Sequence, residues 1–327
     1  MGPSTLKNSI LNKLRKDTDI FRLNMSHLNL NQLKKNIQIL KKNKIKNICI
    51  DTEGAQIRTV YLKKKKYIKK NLLFNLSHEK LTIKNLIQLY PRFNFSNLKK
   101  SSRIKVGFDG LEFKVKKVFK DYIQCRVVQP GYLEANKGVH FDRDVLLDPL
   151  TEKDKMAIVI AKKNNIKIFA LSFANSSKDV SYLRSLLSKN DFLISKIESR
   201  NGFINRKQII KKSNAVLIDR GDLSRYIKIS KIPVAQKLII SDAKKSGKDV
   251  FVATNLLETM INSNNPTRAE SNDIYSSLGS GCKGLVLAAE TAIGKFPLEC
   301  VIFLKKCIDV FNNRKKYINN SKFFFKD

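Results

Sequence analysis

The chain of 327 residues lacks tryptophan and has no apolar run near the roughly 20 residues that a membrane-spanning helix needs. We therefore expect no membrane association. It has only five cysteines, odd in number and scattered, which excludes a disulfide scaffold and a CxxC metal site and is typical of a reducing compartment. No secretory signal is visible after Met1, so we expect a cytoplasmic protein, with a plastid or a similar organelle as the alternative.

Acidic residues are scarce: 28 stand against 64 basic residues, which gives a formal net charge of +36. Such an excess could be an electrostatic footprint for nucleic acid. However, the surplus is mainly lysine, it accompanies asparagine and isoleucine, and it is spread over the whole chain. A/T-rich codons explain this pattern better than a basic interface, which concentrates arginine and aromatic residues on one face. Nucleic acid is therefore an unlikely partner.

Several common catalytic signatures are also absent. No GxxxxGK[ST] segment is present, which excludes a P-loop nucleotide site. The three histidines, His27, His78 and His140, have no metal-ligand spacing, and no Cys/His pair suggests a nucleophile.

Short apolar runs alternate with helical stretches over most of the chain, which is typical of a parallel sheet of βαβ units. A helix is expected from Ser4, as its N-cap, to Lys16, and another from Leu30 to Lys42. The apolar runs are 20–24, 47–50, 166–173, 191–197, 215–218, 249–254 and 284–289. About seven nearly continuous apolar strands favour a (β/α) barrel over an open sheet.

A different pattern interrupts this rhythm in the first half of the chain. From Val60 to about Asp144 the residues alternate in polarity, and two such runs flank Asp109-Gly110, a pair suited to a hairpin turn. We therefore expect barrel segments at 1–59 and 147–315, an inserted β domain at 60–146 and a tail at 316–327.

Polar residues able to bind phosphate or metal follow nearly every apolar run. They are Arg22, Asn24, Ser26 and His27; Asp51, Thr52 and Arg58; Lys196 and Glu198; Arg220, Gly221 and Asp222; Thr254; and Glu290 and Thr291. In a (β/α) barrel all strands end at one face, where active sites are built, so these groups are expected to converge.

Lys196 and Glu198 lie two apart on one strand and so point to the same face. Taken alone, they could form a simple ion pair, and Thr254 could be a helix cap. A second carboxylate, Asp222, follows the next strand, and two carboxylates with phosphate oxygens suit Mg²⁺. A lysine beside such a metal can neutralise charge on a transferring phosphoryl group.

At these residues the chain resembles the pyruvate kinase family. The matching blocks, in chain order, include GPST, FRLNMSH, DTEGAQIRT, FDGLEFKV, NKGVHF, LTEKDK, ISKIES, DRGDL, VATNLLETM, NPTRAE and AAETAIGKFPLE. The resemblance implies an α/β fold, a (β/α)8 TIM barrel with an inserted small β-barrel lid domain. It also implies transfer of the phosphoryl group of phosphoenolpyruvate to ADP, giving pyruvate and ATP.

The resemblance further assigns roles to individual residues. Lys196, Arg22 and Thr254 would be catalytic, and Arg22, Lys196, Gly221, Asp222 and Thr254 would bind the substrate. Glu198 and Asp222 would hold Mg²⁺ or Mn²⁺; Asn24, Ser26, Asp51 and Thr52 would hold K⁺; and His27, Arg58 and Lys137 would contact ADP or ATP.

The chain also departs from the family pattern. From the resemblance we expect the family's first barrel strand and C-terminal regulatory domain to be missing, and therefore a monomer or homodimer rather than the family's tetramer. Gln56 replaces a glutamate often linked to K⁺ dependence, which leaves K⁺ uncertain. Tyr226 replaces a glutamate and Ala288 a serine near the site.

These departures leave alternatives open. One is the same Mg²⁺ chemistry on another phosphoenolpyruvate or 2-oxo-acid substrate, and another is a degenerate, non-catalytic relative.

Overall fold

The computed structural model describes residues 1–319 apart from Tyr61, Lys63, Ser96, Phe108, Asp109, Arg143 and Asp144. The expected turn residue Asp109 and the end of the expected tail thus lie outside the described residues.

The strands are β1 (Phe21–Asn24), β2 (Ile48–Asp51), β3 (Arg58–Thr59), β4 (Lys66–Ile68), β5 (Leu73–Ser77), β6 (Leu86–Tyr90), β7 (Arg103–Val106), β8 (Leu111–Val118), β9 (Ile123–Gln129), β10 (Gly131–Leu133), β11 (Val139–Phe141), β12 (Ile168–Leu171), β13 (Phe192–Ile197), β14 (Ala215–Asp219), β15 (Asp249–Ala253) and β16 (Gly284–Val286). The helices are α1 (Asn8–Leu14), α2 (Leu30–Lys42), α3 (Glu152–Lys163), α4 (Ser177–Leu186), α5 (Arg200–Ile204), α6 (Arg206–Lys212), α7 (Arg220–Leu223), α8 (Ile232–Lys245), α9 (Arg268–Gly279), α10 (Ala289–Ala292), α11 (Pro297–Asn312) and α12 (Arg314–Asn319). Short 3₁₀ turns cover Met25–His27, Ile229–Lys231 and Glu258–Ile261.

The chain divides into two compact units. One consists of Met1–Thr52 and Glu152–Asp327, and the other of Glu53–Thr151. The first unit is built on a seven-stranded parallel sheet in the order β1-β2-β12-β13-β14-β15-β16, with helices between the strands. This order, in which each strand lies beside the next barrel strand in the chain, is that of a (β/α) barrel.

The two end strands of this sheet each pair with one neighbour in the described part of the chain, β1 with β2 and β16 with β15. The first residues of the chain contact β1 and helix α10, which follows β16. The Met1 nitrogen donates to the Arg22 carbonyl at 2.9 Å, and the Ser4 amide donates to the Ala292 carbonyl at 3.1 Å. The expected N-cap at Ser4 is wrong: α1 begins at Asn8 with Lys7 as N-cap and no side-chain cap.

The interior of the sheet is filled by small and branched residues in alternate positions. They form one buried cluster: Cys49, Ala170, Ile194, Ala215, Leu217 and Ala253. Because strand side chains alternate between faces, the residues two positions further along these strands also face the interior, at the carboxyl end of the sheet. The candidate functional site lies at these positions.

Outside the sheet, helices pack their apolar faces against the strands. Helix α2 buries Leu33, Ile37 and Leu40, and its first turn is closed by a reciprocal capping box between Asn29 and Gln32. Its bounds are those that the sequence predicts.

The second unit holds a seven-stranded sheet in the order β11-β7-β8-β9-β5-β6-β3. A bridge between Arg58 and Gly138 joins the two ends of this sheet and nearly closes a small barrel. The predicted hairpin is present as β7 and β8, with Val106 opposite Leu111. Phe113 and other buried apolar side chains fill the centre. No helix in the described part of the chain is long and apolar enough to cross a membrane.

Candidate active site at the carboxyl end of the parallel sheet

The last interior-facing positions of five neighbouring strands are polar. Along the sheet they are Arg22 on β1, Asp51 on β2, Ser172 after β12, Lys196 on β13 and Asp219 on β14. Asp51, Ser172 and Lys196 are buried with relative exposures of 0%, 3% and 4%. The parallel sheet thus brings together Arg22, Asp51 and Lys196, which the sequence singles out, and two residues that it does not, Ser172 and Asp219.

Lys196 lies at the centre of this group. Its Nζ is 2.8 Å from Glu198 Oε1 and 3.3 Å from Asp51 Oδ2, and it donates to Ser172 Oγ at 3.1 Å. Burial acts to lower the pKa of Lys196, but the carboxylates of Asp51, Glu198 and Asp219 outweigh it and hold that pKa above its ordinary value. The lysine is therefore a fixed, buried positive charge.

Arg22 and Asp51 form the neighbouring ion pair, with Nη1 and Oδ2 2.5 Å apart. The other oxygen of Asp51 accepts from Ser172 Oγ at 3.0 Å. Burial opposes ionisation of Asp51, but Lys196 and Arg22 hold its pKa below the ordinary range. Beneath this pair, burial raises the pKa of the Cys49 thiol to about 12, so this cysteine is inert.

Three carboxylates lie together beside the lysine. One oxygen from each of Glu198, Asp219 and Asp222 lies within 4.8 Å of the other two. Burial raises the pKa of Glu198 to about 8; Lys196 opposes this effect, and the charges of Asp219 and Asp222 add to it. This concentration of negative charge, with hard oxygen donors, fits a divalent cation such as Mg²⁺.

Two further contacts fix these carboxylates. Glu198 Oε2 accepts from the Phe173 amide at 2.7 Å. Asp222 Oδ1 lies 3.2 Å from Arg225 Nε, so an arginine one helical turn along already pairs with it.

Thr254 follows β15 in an unusual backbone conformation. Thr254 and Asn255 both have positive φ, +69° and +54°. Arg220 holds this turn: its Nη2 donates to the Thr254 carbonyl at 2.6 Å and to the Asn255 carbonyl at 3.1 Å, while its Nη1 pairs with Asp273. The strain of two left-handed residues is thus offset by a bound guanidinium.

This turn directs the Thr254 hydroxyl towards the acidic group. Its Oγ1 accepts from the Gly221 amide at 2.8 Å. The same oxygen lies 2.6 Å from the Ala253 carbonyl and 3.2 Å from Asp219 Oδ1, the two acceptors available to its one hydrogen. Thr254 is not the N-cap of the helical turn that follows it, which is Leu257; its hydroxyl instead accepts from an amide in the first turn of α7.

The residues predicted for K⁺ come from β1 and β2 and the segments after them. Asn24 lies opposite Asp51 in the strand register. Asn24 Oδ1 accepts from the Ser26 amide at 2.9 Å, and Thr52 Oγ1 accepts from the Ser172 amide at 3.0 Å. All four predicted residues thus lie at the same end of two adjacent strands.

The residues predicted for the nucleotide come from both units. His27 lies in the 3₁₀ turn after β1. In the second unit, Arg58 Nη1 donates to the Asn136 carbonyl at 3.4 Å, and Lys137 Nζ pairs with Glu134 at 3.1 Å. Arg58 and Lys137 are therefore near neighbours within that unit.

The sequence pattern did not identify three residues of this site: Ser172, Asp219 and Arg225. Ser172 and Asp219 carry a signal, because each stands two positions beyond an interior residue of its strand. Arg225 carries a weak one, since it stands three residues after Asp222, a spacing at which side chains meet within one helical turn.

A parallel barrel-type sheet with a buried lysine, a half-buried arginine and clustered carboxylates at its carboxyl end defines a class of enzyme, one that acts on an anionic substrate with a divalent cation. Comparison of the chain with known proteins agrees with this class of enzyme. The model of a protein family described as "Pyruvate kinase, barrel domain" matches residues 1–301 of the chain. The chain belongs to the pyruvate kinase family.

Individual relatives support the same assignment. A pyruvate kinase of Clostridium perfringens is 32% identical over 320 residues, covering 94% of this chain and 68% of the relative. One of Methanocaldococcus jannaschii is 35% identical over 314 residues, with the same coverage. The crystal structure of a pyruvate kinase from Cryptosporidium parvum matches with a TM-score of 0.82 and 30% identity, covering 94% of this chain and 67% of that one.

The fold is thus a TIM barrel with an added small β-barrel, as the sequence predicts. The chain is a phosphotransferase of the family that forms pyruvate and ATP from phosphoenolpyruvate and ADP.

Proposed function

We propose that the buried cluster around Lys196 carries out phosphoryl transfer from phosphoenolpyruvate to ADP. The observation that carries this proposal is the ammonium of Lys196, held within 3.3 Å of Asp51 and 2.8 Å of Glu198 at the carboxyl end of the sheet. A pre-oriented positive charge stabilises a phosphoryl group as its oxygens gain charge in the transition state. Arg22, the neighbouring cation, would hold the phosphate of phosphoenolpyruvate.

Glu198 and Asp222 would hold Mg²⁺ or Mn²⁺. Their oxygens lie close enough to share one cation, and carboxylates are the donors that these hard ions prefer. When bound, the divalent cation neutralises charge on the phosphoryl and substrate oxygens. Only the ionised carboxylate of Glu198 can bind it, so the burial that raises the pKa of Glu198 opposes metal binding.

The substrate carboxylate would be held by the Gly221 amide and the Thr254 hydroxyl. These two groups now bond each other at 2.8 Å, so the bound carboxylate would take over the amide donor. Arg220 acts as a positioning residue here, because it holds the left-handed turn that aims Thr254.

Further binding roles follow the family pattern. Asn24, Ser26, Asp51 and Thr52 would supply oxygens to K⁺, and His27, Arg58 and Lys137 would contact ADP or ATP. The cytoplasm, with a plastid as the alternative, and a monomeric or homodimeric state stay predictions; one relative is a plastidial pyruvate kinase of Arabidopsis thaliana.

Steady-state pyruvate formation tests the role of Lys196. With Mg²⁺, phosphoenolpyruvate and ADP, kcat of Lys196→Met is expected to fall at least about a thousandfold, because the substitution removes a positive charge that stabilises the transition state. Lys167→Met is the matched control: it removes a half-exposed ammonium just before β12, at the opposite end of the sheet. A folded Lys196→Met protein with wild-type kcat would overturn the proposed role.

A further inference from the structure

We propose that Asp219 is a third carboxylate ligand of the divalent cation, beside Glu198 and Asp222. This inference rests on the proposed function, because it adds a residue to the same metal site. It concerns a residue that the resemblance leaves without a role.

The strand register places Asp219 at the site. Ala215 and Leu217 face the interior of the sheet in the buried cluster, and Asp219 is the next residue in that alternation. It is the last residue of β14, so its side chain lies at the carboxyl end, one strand from Lys196.

The local charge balance points to a cation. Asp219 is 7% exposed, and in the described part of the chain no lysine or arginine lies within ion-pair distance of it. By contrast, Glu198 has Lys196 and Asp222 has Arg225. The charges of Lys196 and Arg22 act on Asp219 only from beyond that distance. A buried carboxylate without a directly bonded cation is costly, so natural proteins pair it with a cation or a metal.

Helix capping does not account for the buried carboxylate of Asp219. As N-cap of α7 its Oδ1 accepts from the Asp222 amide, but at 3.4 Å, which is long for such a bond. The Thr254 hydroxyl reaches the same oxygen at 3.2 Å. Both contacts involve Oδ1, which leaves Oδ2 for another ligand.

The spacing suits the ion. Each Mg–O bond is about 2.1 Å, so neighbouring oxygens on one octahedral Mg²⁺ stand about 3 Å apart and opposite ones about 4.2 Å apart. The three carboxylates already present oxygens within 4.8 Å of one another. Side-chain movements of about 1–2 Å would bring all three onto one cation.

Calorimetric titration of the metal-free protein with MnCl₂ tests this inference without any measurement of turnover. Asp219→Ala and Asp219→Asn are each expected to weaken Mn²⁺ binding about tenfold or more. The Asn variant keeps an acceptor for the Asp222 amide, so it serves if the Ala variant fails to fold. Asp249→Asn, an equal change of charge at the exposed start of β15, should bind as the wild type does.

The titrations distinguish a failure of the Asp219 assignment from a failure of the proposed metal site. If both Asp219 variants bind Mn²⁺ as tightly as the wild type while Asp222→Asn loses binding, Asp219 is not a ligand and the proposed function stands. If the wild type itself binds no Mn²⁺, the metal site of the proposed function fails as well.

Discussion

Single side chains at this site are held by opposite charges rather than by packing alone. Lys196 and Arg22 share Asp51, and Lys196 also pairs with Glu198. Removing one partner of such a buried network leaves an unpaired charge, which costs several kcal/mol. The residues that prepare the site for an anionic substrate thus also stabilise the centre of the barrel.

The ion pair between Arg225 and Asp222 leads to a prediction about the affinity for the divalent cation. Its contact with Asp222 stabilises the carboxylate without a metal, so a divalent cation must compete with it. Arg225→Met is therefore expected to strengthen Mn²⁺ binding about fivefold, or ~1 kcal/mol. Calorimetry on Arg225→Met, with the exposed Arg15→Met as control, measures this change; unchanged or weaker binding would contradict it.

Individual elements were predictable where one local signal dominated. Six of the seven strands of the parallel sheet match their apolar runs to within two residues at each end, because a strand buried on both faces must be apolar. The seventh, β16, ends three residues before its run does. The start of α1 was not predictable from Ser4, since Gly2 and Ser4 instead bond with Thr5 and Ala292. That tertiary contact overrides the capping preference.

Helix α9 carries a prediction about pH. Glu270 closes its capping box, accepting from the Thr267 amide at 2.7 Å and from the Thr259 amide at 2.8 Å. Burial opposes ionisation, but these bonds hold the pKa of Glu270 below its ordinary value. Its stabilisation is therefore present above the unfolded-state pKa of about 4.5 and is lost as the pH falls through the lower folded-state value.

Glu270→Gln is accordingly expected to lower the free energy of unfolding by about 1 kcal/mol at pH 7. The difference from the wild type should shrink between pH 5 and pH 3. Urea unfolding at both ends of that range measures it, with Asp249→Asn as the control. A difference that grows on acidification would mean that these hydrogen bonds do not stabilise the ionised form.

Across the whole molecule, the topology explains why so much of the site could be inferred. Residues as distant in the chain as Arg22 and Asp219 follow strands of one parallel sheet, and parallel strands end at the same face. What could not be inferred were contacts made by the fold alone, such as Arg220 with the Thr254 turn or with Asp273. No spacing in the sequence encodes these pairs.

The central claim is that this site moves a phosphoryl group between two bound substrates. Phosphorus NMR of the purified protein with phosphoenolpyruvate, ADP and Mg²⁺ measures that transfer directly. The account predicts that the phosphoenolpyruvate signal falls as the γ-phosphate signal of ATP rises in equal amount, and that neither changes with Lys196→Met. Release of inorganic phosphate without ATP, or no reaction by the folded wild-type protein, would contradict it.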